Sequence, residues 1–329
     1  MSQQESGVQA YAKGLLKTLP KHNVAFEVLV PKSNKLSDEI GIKCIGFFSN
    51  LWLWEQISLP FYLAKQRDYI LINFCNSAPL FVKNQIVTVH DLAFEQKNVK
   101  WFSMWFKLWY QFLIPRLCNN SKCIFTVSEF SKKEISSQYT VSKDKIKVIP
   151  NGLSPIEMAE RQITGDYLLI VGGNNPRKNA SAIIDRISEI ESKGLKLVVL
   201  SQINHVFDNQ KLFIHPSIIY LNSVSKEKYC SLIKYSKALI YPSLYEGFGI
   251  PILEALSMKV PVICNELSVF KESFGELPIY FNDNVSFEKT LDRIDLSVIS
   301  DNDVEKLETK FSFDRSVSLI LKSLEELST

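Results

Sequence analysis

Short apolar runs alternate with amphipathic segments along this chain, the pattern of parallel α/β units. Val8, Tyr11, Leu15, Leu16 and Leu19 fall at helical spacing and predict a helix over 8–19. Residues 24–30 read as a strand that Pro31 ends. Further runs of buried-strand length lie at 69–74, 86–89, 123–127 and 146–149. Pro150-Asn151-Gly152 breaks the pattern and marks a linker. A second series then predicts strands at 167–171, 195–200, 218–221 and 238–241, a helix from about Asn179 and another over 226–235. The reading is two similar α/β domains, 1–152 and 153–329, with helices beyond Phe311 closing the chain.

The stretch 101–117 is different. Trp101, Phe102, Met104, Trp105, Phe106, Leu108, Trp109, Tyr110, Phe112 and Leu113 put apolar groups on nearly every face, which argues for a buried helix. Lys97, Lys100, Lys107 and Arg116 equally suit a helix lying at a membrane interface. Lys107 and Arg116 make it too polar for a membrane span.

Composition narrows the class. A chain of 329 residues, 46% hydrophobic and 22% charged, is long enough for two buried cores. Its 6 cysteines form no C-x-x-C pair and its 4 histidines are scattered, so no structural metal is expected. The thiol usage and the lack of a basic-then-apolar leader lead us to expect a cytoplasmic protein, at the inner face of a membrane if the aromatic stretch docks there. Charge is split: residues 1–150 carry 19 Lys and Arg against 11 Asp and Glu, whereas 151–329 carry 19 against 24. The basic half suits an anionic partner or a merely solvated surface. No nucleic-acid motif accompanies it, which favours an anionic lipid surface over nucleic acid.

Candidate chemistry concentrates in Tyr241-Pro242-Ser243-Leu244-Tyr245-Glu246-Gly247-Phe248-Gly249-Ile250-Pro251-Ile252-Leu253-Glu254-Ala255-Leu256. This reads as strand, glycine turn and helix, with Pro251 suited to the first helical turn. Glu246 and Glu254 bracket a helix start, whose positive end favours an anion. Upstream, Leu169-Ile170-Val171-Gly172-Gly173-Asn174-Asn175-Pro176-Arg177-Lys178-Asn179 sends a strand into a glycine pair followed by two cations. Gly172 and Gly173 allow close approach, and Arg177 and Lys178 can neutralise a diphosphate. His90-Asp91 closes the strand at 86–89, at the end where α/β sheets bind ligands.

Glu246-Gly247-Phe248-Gly249 with Pro251, Glu254 and Ala255 resembles the signature of the retaining glycosyltransferases of family four. The resemblance extends over most of the chain: the glycine loop Gly7-Val8-Gln9-Ala10-Tyr11, His90-Asp91, Thr126-Val127-Ser128-Glu129-Phe130-Ser131, Pro150-Asn151-Gly152 and the Arg177-Lys178-Asn179 segment. It implies the GT-B architecture, two Rossmann-like domains facing a cleft, and hexosyl transfer from a nucleotide-diphosphate sugar to a saccharide or lipid-linked acceptor. The look of the motifs is similar to bacterial polysaccharide mannosyl-type transferases. By that likeness Arg177 and Lys178 hold the diphosphate, Glu254 the ribose and Glu246 the transferred sugar. His90 and Gly7 lie by the donor, with Asp91 a weaker candidate. Backbone at Gly172, Gly173, Gly247, Phe248 and Gly249 contacts sugar and phosphate, and Val224 lies under the base, although Asn222 replaces a glycine usual there. The nucleotide sugar is a substrate, and no cofactor or metal is expected.

One departure stands out. The family places a hydrophobic strand before the first glycine loop, and Met1 to Ser6 are too few and too polar for it. Either the start is truncated or the first sheet lacks a central strand. Two other classes therefore stay open, a non-catalytic nucleotide-sugar-binding partner subunit and a sugar-nucleotide epimerase.

Overall fold

A computed structural model describes residues 6–32, 41–201, 213–281 and 286–328. The chain forms two units. The first comprises Val8–Glu95, Phe102–Pro150 and Phe313–Thr329; the second comprises Met1–Gly7, Gln96–Trp101 and Asn151–Ser312.

In the first unit, β1 (Val28–Pro31) and β2 (Ile42–Ile45) pair in parallel as a separate ribbon. Then β3 (Leu71–Asn73), β4 (Gln85–Thr88), β5 (Cys123–Thr126) and β6 (Ile146–Val148) form a parallel sheet in chain order. A doubly wound sheet places its first strand between the second and the fourth. Among the described residues, no strand joins the pair to the four-stranded sheet. Pro31 proves to be the last residue of β1, opposite Ile45, a position that needs no ladder donor. The stretch through Glu5 lies outside the described residues.

The first unit's core gathers Val87, Val89, Ile124 and Ile146 from the sheet with Leu113, Ile114, Leu117 and Ile135 from two helices. Each such buried side chain is worth about 1.5–3 kcal/mol. The helix Gly7–Thr18 contributes Tyr11 and Leu15, both fully buried, and Tyr11 donates its hydroxyl to Ile149 O at 3.2 Å. The last helix, Phe313–Ser328, belongs to this unit as well: Ser316 donates to Pro150 O at 2.8 Å and Lys147 pairs with Glu326 at 2.7 Å.

The aromatic stretch is not a buried helix throughout. Ser103 caps a helix Met104–Asn120, accepting from Phe106 N at 3.3 Å. Only Leu113, Ile114, Leu117 and Cys118, one stripe in its second half, are buried in it. Met104, Trp105, Leu108 and Phe112 are exposed, Trp105 at 84%. Among the described residues, no helix is long and apolar enough to cross a membrane.

The second unit is one six-stranded parallel sheet of β7 (Tyr167–Val171), β8 (Lys196–Ser201), β9 (Ile218–Asn222), β10 (Ala238–Tyr241), β11 (Val262–Asn265) and β12 (Ile279–Phe281). Its order, β12-β11-β10-β7-β8-β9, is that of a doubly wound sheet. The strand order reverses between β7 and β10. That reversal opens a crevice at their carboxyl ends, where Gly172 and Pro242 follow.

Candidate active site

The loops leaving β7 and β10 carry the two motifs, and direct bonds join them. Asn175 accepts from Arg177 N at 3.0 Å, starting a short 3₁₀ turn, Pro176–Lys178. Asn179 then takes φ 54°, which delays the following α-helix to Ser181–Ile184, later than the sequence predicts. Leu244 N donates to Arg177 O at 2.9 Å, and Asn265 from β11 braces the other loop by donating to Pro242 O and Ser243 O at 2.9 and 3.1 Å.

This brings three charges together. Arg177 Nη1 lies 2.8 Å from Glu246 Oε2, and Lys178 Nζ lies 2.7 Å from Glu246 Oε1. Arg177 also donates to Tyr245 O at 2.7 Å, and Lys178 to the Tyr241 hydroxyl. Glu246 is 7% exposed. Burial alone would raise its pKa, but Arg177 and Lys178 overcome that and hold it at about 2. Two cations on one carboxylate leave the corner with a net positive charge, the sign a diphosphate needs.

The glycines make the corner possible. Gly172 has φ 81°, and a Cβ there would meet the Lys178 stem at 3.2 Å. Gly249 has φ 111° and stands at the N-terminus of helix Ile250–Ser257, against Phe270. Pro251 has no N–H, while Ile252 and Leu253 donate theirs to Gly249 O at 3.0 and 3.2 Å. The helix contributes the positive end of its dipole.

Glu254, one turn inside that helix, is 8% exposed and has two partners the sequence reading missed. Lys226 Nζ lies 2.6 Å from Oε1, and Tyr229 OH donates to Oε2 at 2.5 Å. Burial beside that carboxylate keeps the Tyr229 phenol protonated. Both residues come from helix Lys226–Lys234, capped by Ser225. Val224 precedes the cap, and the left-handed turn after β9 falls on Ser223 (φ 44°), not on Asn222.

Gly7, in the second unit, comes against the start of helix Ile250–Ser257, where a Cβ on it would meet Ile250 Cδ1 at 3.3 Å, whereas His90 lies in the first unit. Gly7 opens the helix Gly7–Thr18. His90 follows β4 in the first unit and is 7% exposed. Its Nε2 lies 2.9 Å from Phe74 O, its backbone N donates to Asn76 Oδ1 at 2.8 Å, and its ring meets Tyr11 edge-on at 4.9 Å. A carbonyl can only accept, so Nε2 carries the proton and Nδ1 is the acceptor nitrogen of the ring. Burial lowers the His90 pKa, keeping the ring neutral. Asp91 spends Oδ1 on Ala93 N at 2.9 Å, a local turn bond.

Two family profiles cover nearly all of the chain: Glycosyltransferase Family 4 over residues 6–155 and Glycosyl transferases group 1 over 158–307. The chain belongs to family 4 of the glycosyltransferases. Among its relatives, the O-antigen chain mannosyltransferase RfbU of Salmonella typhimurium is 26% identical over 264 residues, covering 76% of this chain and 70% of that protein. The fold matches sucrose-phosphate synthase from Thermosynechococcus elongatus with a TM-score of 0.69 at 14% identity, over 98% of this chain and 94% of the other. It also matches WaaG, a glycosyltransferase involved in lipopolysaccharide biosynthesis, with a TM-score of 0.62 at 12% identity, over 96% and 92%. This family-4 glycosyltransferase thus has two Rossmann-like domains of the GT-B fold, and the Arg177–Lys178–Glu246 corner sits at the switch point of its second sheet.

Proposed function

We propose that the enzyme transfers mannose from a nucleotide-diphosphate sugar to a saccharide or lipid-linked acceptor, with retention of configuration, in the assembly of a cell-surface polysaccharide. The observation that carries the donor half is the part-buried Arg177–Lys178 pair held on buried Glu246 beside two glycines. The mannosyl assignment draws on RfbU, named for O-antigen mannosyl transfer.

As the bond to the anomeric carbon breaks, positive charge grows on the sugar and negative charge on the departing diphosphate. Arg177, Lys178 and the amides of 247–249 would stabilise that leaving group. Each well-aimed contact of this kind supplies about 3 kcal/mol, or two decades in rate. Glu254 would take the ribose hydroxyls, oriented by Lys226 and Tyr229. Glu246, kept ionised by its cations, would face the sugar rather than attack it, so retention would follow from transfer on the leaving-group face. Neutral His90 would accept a sugar hydroxyl at Nδ1. No step of this route calls for a metal.

The acceptor half rests on the first unit's surface. Trp105, Met104, Leu108, Leu51 and Trp52 are exposed, and Trp52 meets Trp109 with ring centroids 5.5 Å apart. Arg116 lies 3.7 Å over the Phe112 ring and Lys107 stands on the same helix. Exposed tryptophans with basic neighbours suit the headgroup layer of an anionic membrane, where a lipid-linked acceptor would be met.

The test is transfer from GDP-mannose, UDP-glucose and UDP-N-acetylglucosamine to isolated lipid-linked oligosaccharide, with the new anomeric linkage read by NMR. We expect α-linked product from GDP-mannose and at least about a hundredfold loss in Lys178→Ala. Wild-type turnover in that variant, or inversion, overturns the reading.

A further inference from the structure

Close to His90 the first unit holds a second polar corner that the donor chemistry does not use. The helical run from Leu51 to Leu63 contains a π-helical turn, Trp54–Ser58. Such turns carry an extra residue per turn and are frequent at functional sites. Here the turn carries Glu55, a partly buried carboxylate in an otherwise apolar stretch. Ser77 Oγ donates to its Oε2 at 2.7 Å, and Gln56 Nε2 donates to its Oε1 at 2.9 Å. Gln56 also donates to Ala78 O at 2.9 Å and accepts from Leu80 N at 3.1 Å, anchoring the turn to the loop after β3.

That same loop fixes His90. Phe74 and Asn76 bond the histidine, while Ser77, the next residue, bonds Glu55. The loop leaves the carboxyl end of β3 and His90 leaves the carboxyl end of β4, the edge at which α/β sheets bind ligands. Between Phe74 and Asn76 stands Cys75, an exposed thiol near enough to feel the Glu55 charge, as does the Tyr110 phenol. Trp52 stands three residues before Glu55, in contact with Trp109.

We infer that Glu55, Ser77 and the aromatic rings beside them form the subsite for the saccharide acceptor. A carboxylate offers about four acceptor positions, and two are taken here by Gln56 and Ser77. The remaining two accept from sugar hydroxyls. Trp52, exposed beside Trp109, offers a flat apolar face to the C–H face of the ring, the mixture of aromatic lining and few polar groups that small-ligand sites use. Burial raises the Glu55 pKa and the bonds from Ser77 and Gln56 oppose it, so the site favours neutral hydroxyls over anions. Glu55 is an acceptor-binding residue in this scheme; the bond-breaking chemistry stays with the donor corner.

The inference rests on the transfer reaction proposed above, but its test needs no turnover. Cys75 reports on the site directly. Iodoacetamide labelling of the full chain is followed at the Cys75 peptide by mass spectrometry, with exposed Cys44 as internal control. The probes are hexyl glycosides of α-mannose, α-galactose, α-rhamnose and N-acetylglucosamine, with hexanol as the apolar control. We expect at least one glycoside to slow labelling of Cys75 severalfold while Cys44 and the hexanol sample are unchanged. Glu55→Gln should raise the glycoside concentration for half-protection about tenfold, the loss of a hydrogen bond to a charged group. Ser77→Ala, which keeps the carboxylate, should give a smaller rise. Protection by none of the glycosides, protection by hexanol alone, or equal protection in Glu55→Gln overturns the inference. Failure of GDP-mannose transfer with protection intact would instead count against the donor reading.

Discussion

Glu246 shows how a buried acid is made useful. Desolvation works against its charge, and chiefly the two cations within 2.8 Å reverse that. Its pKa falls from 4.5 to about 2. A depressed carboxylate contributes stability that is fully present above the unfolded value and is lost as pH drops through the folded one. For Glu246 the window runs from pH 4.5 down to about 2, and the stake is about 3 kcal/mol. Urea unfolding at pH 7, 4.5 and 3 should therefore show a steeper acid loss in the wild type than in Glu246→Gln. The variant starts lower at neutral pH, because it leaves two part-buried cations facing an amide. Parallel pH curves would mean that the pair does not set this carboxylate. His90 has the same sense of slope at higher pH: burial depresses its pKa, so protonating it as pH falls below the ordinary histidine value costs stability.

Among the elements, strands were the most legible from sequence. The apolar runs at 123–127, 146–149 and 167–171 became β5, β6 and β7 to within a residue, since a buried parallel strand reads as an unbroken apolar run. The glycine turn and cation segment were equally readable, because φ 111° at Gly249 and close packing at Gly172 leave few residue choices. Lys226 and Tyr229 were not. They reach Glu254 from a helix more than twenty residues upstream, and only the sheet order makes them neighbours. Glu55 escaped notice for a similar reason, in an aromatic run with no motif around it. Helix Met104–Asn120 misled in another way: aromatic residues on every face hide which stripe is buried, and only 113, 114, 117 and 118 are. Its exposed half carries a prediction. Flotation with vesicles containing phosphatidylglycerol should bring up the wild type. Trp105→Ser with Leu108→Ser should weaken that binding, and Lys107→Glu should weaken it and remove part of its salt sensitivity. Unchanged flotation in all variants would assign that face to something other than a membrane.

At the scale of the molecule, two parallel sheets of the same class differ in how they are put together. The second keeps its full doubly wound order, and its switch point holds the charged corner. The first is divided into a two-stranded ribbon and a four-stranded sheet, yet its core is closed by the returning helix Phe313–Ser328 and by buried Tyr11 and Leu15. The division spares the edge that carries His90, which lies on the four-stranded piece together with the Glu55 corner. The donor half of the account depends on a diphosphate being held by Arg177 and Lys178. Calorimetric titration of GDP, GMP and guanosine into the wild type, Arg177→Ala and Lys178→Ala tests that most directly. The account predicts that each substitution weakens GDP about 10- to 100-fold while guanosine binding changes little, as expected for a lost charge-assisted contact to phosphate. Equal GDP affinity in all three proteins, or equal losses for GDP and guanosine, would contradict it.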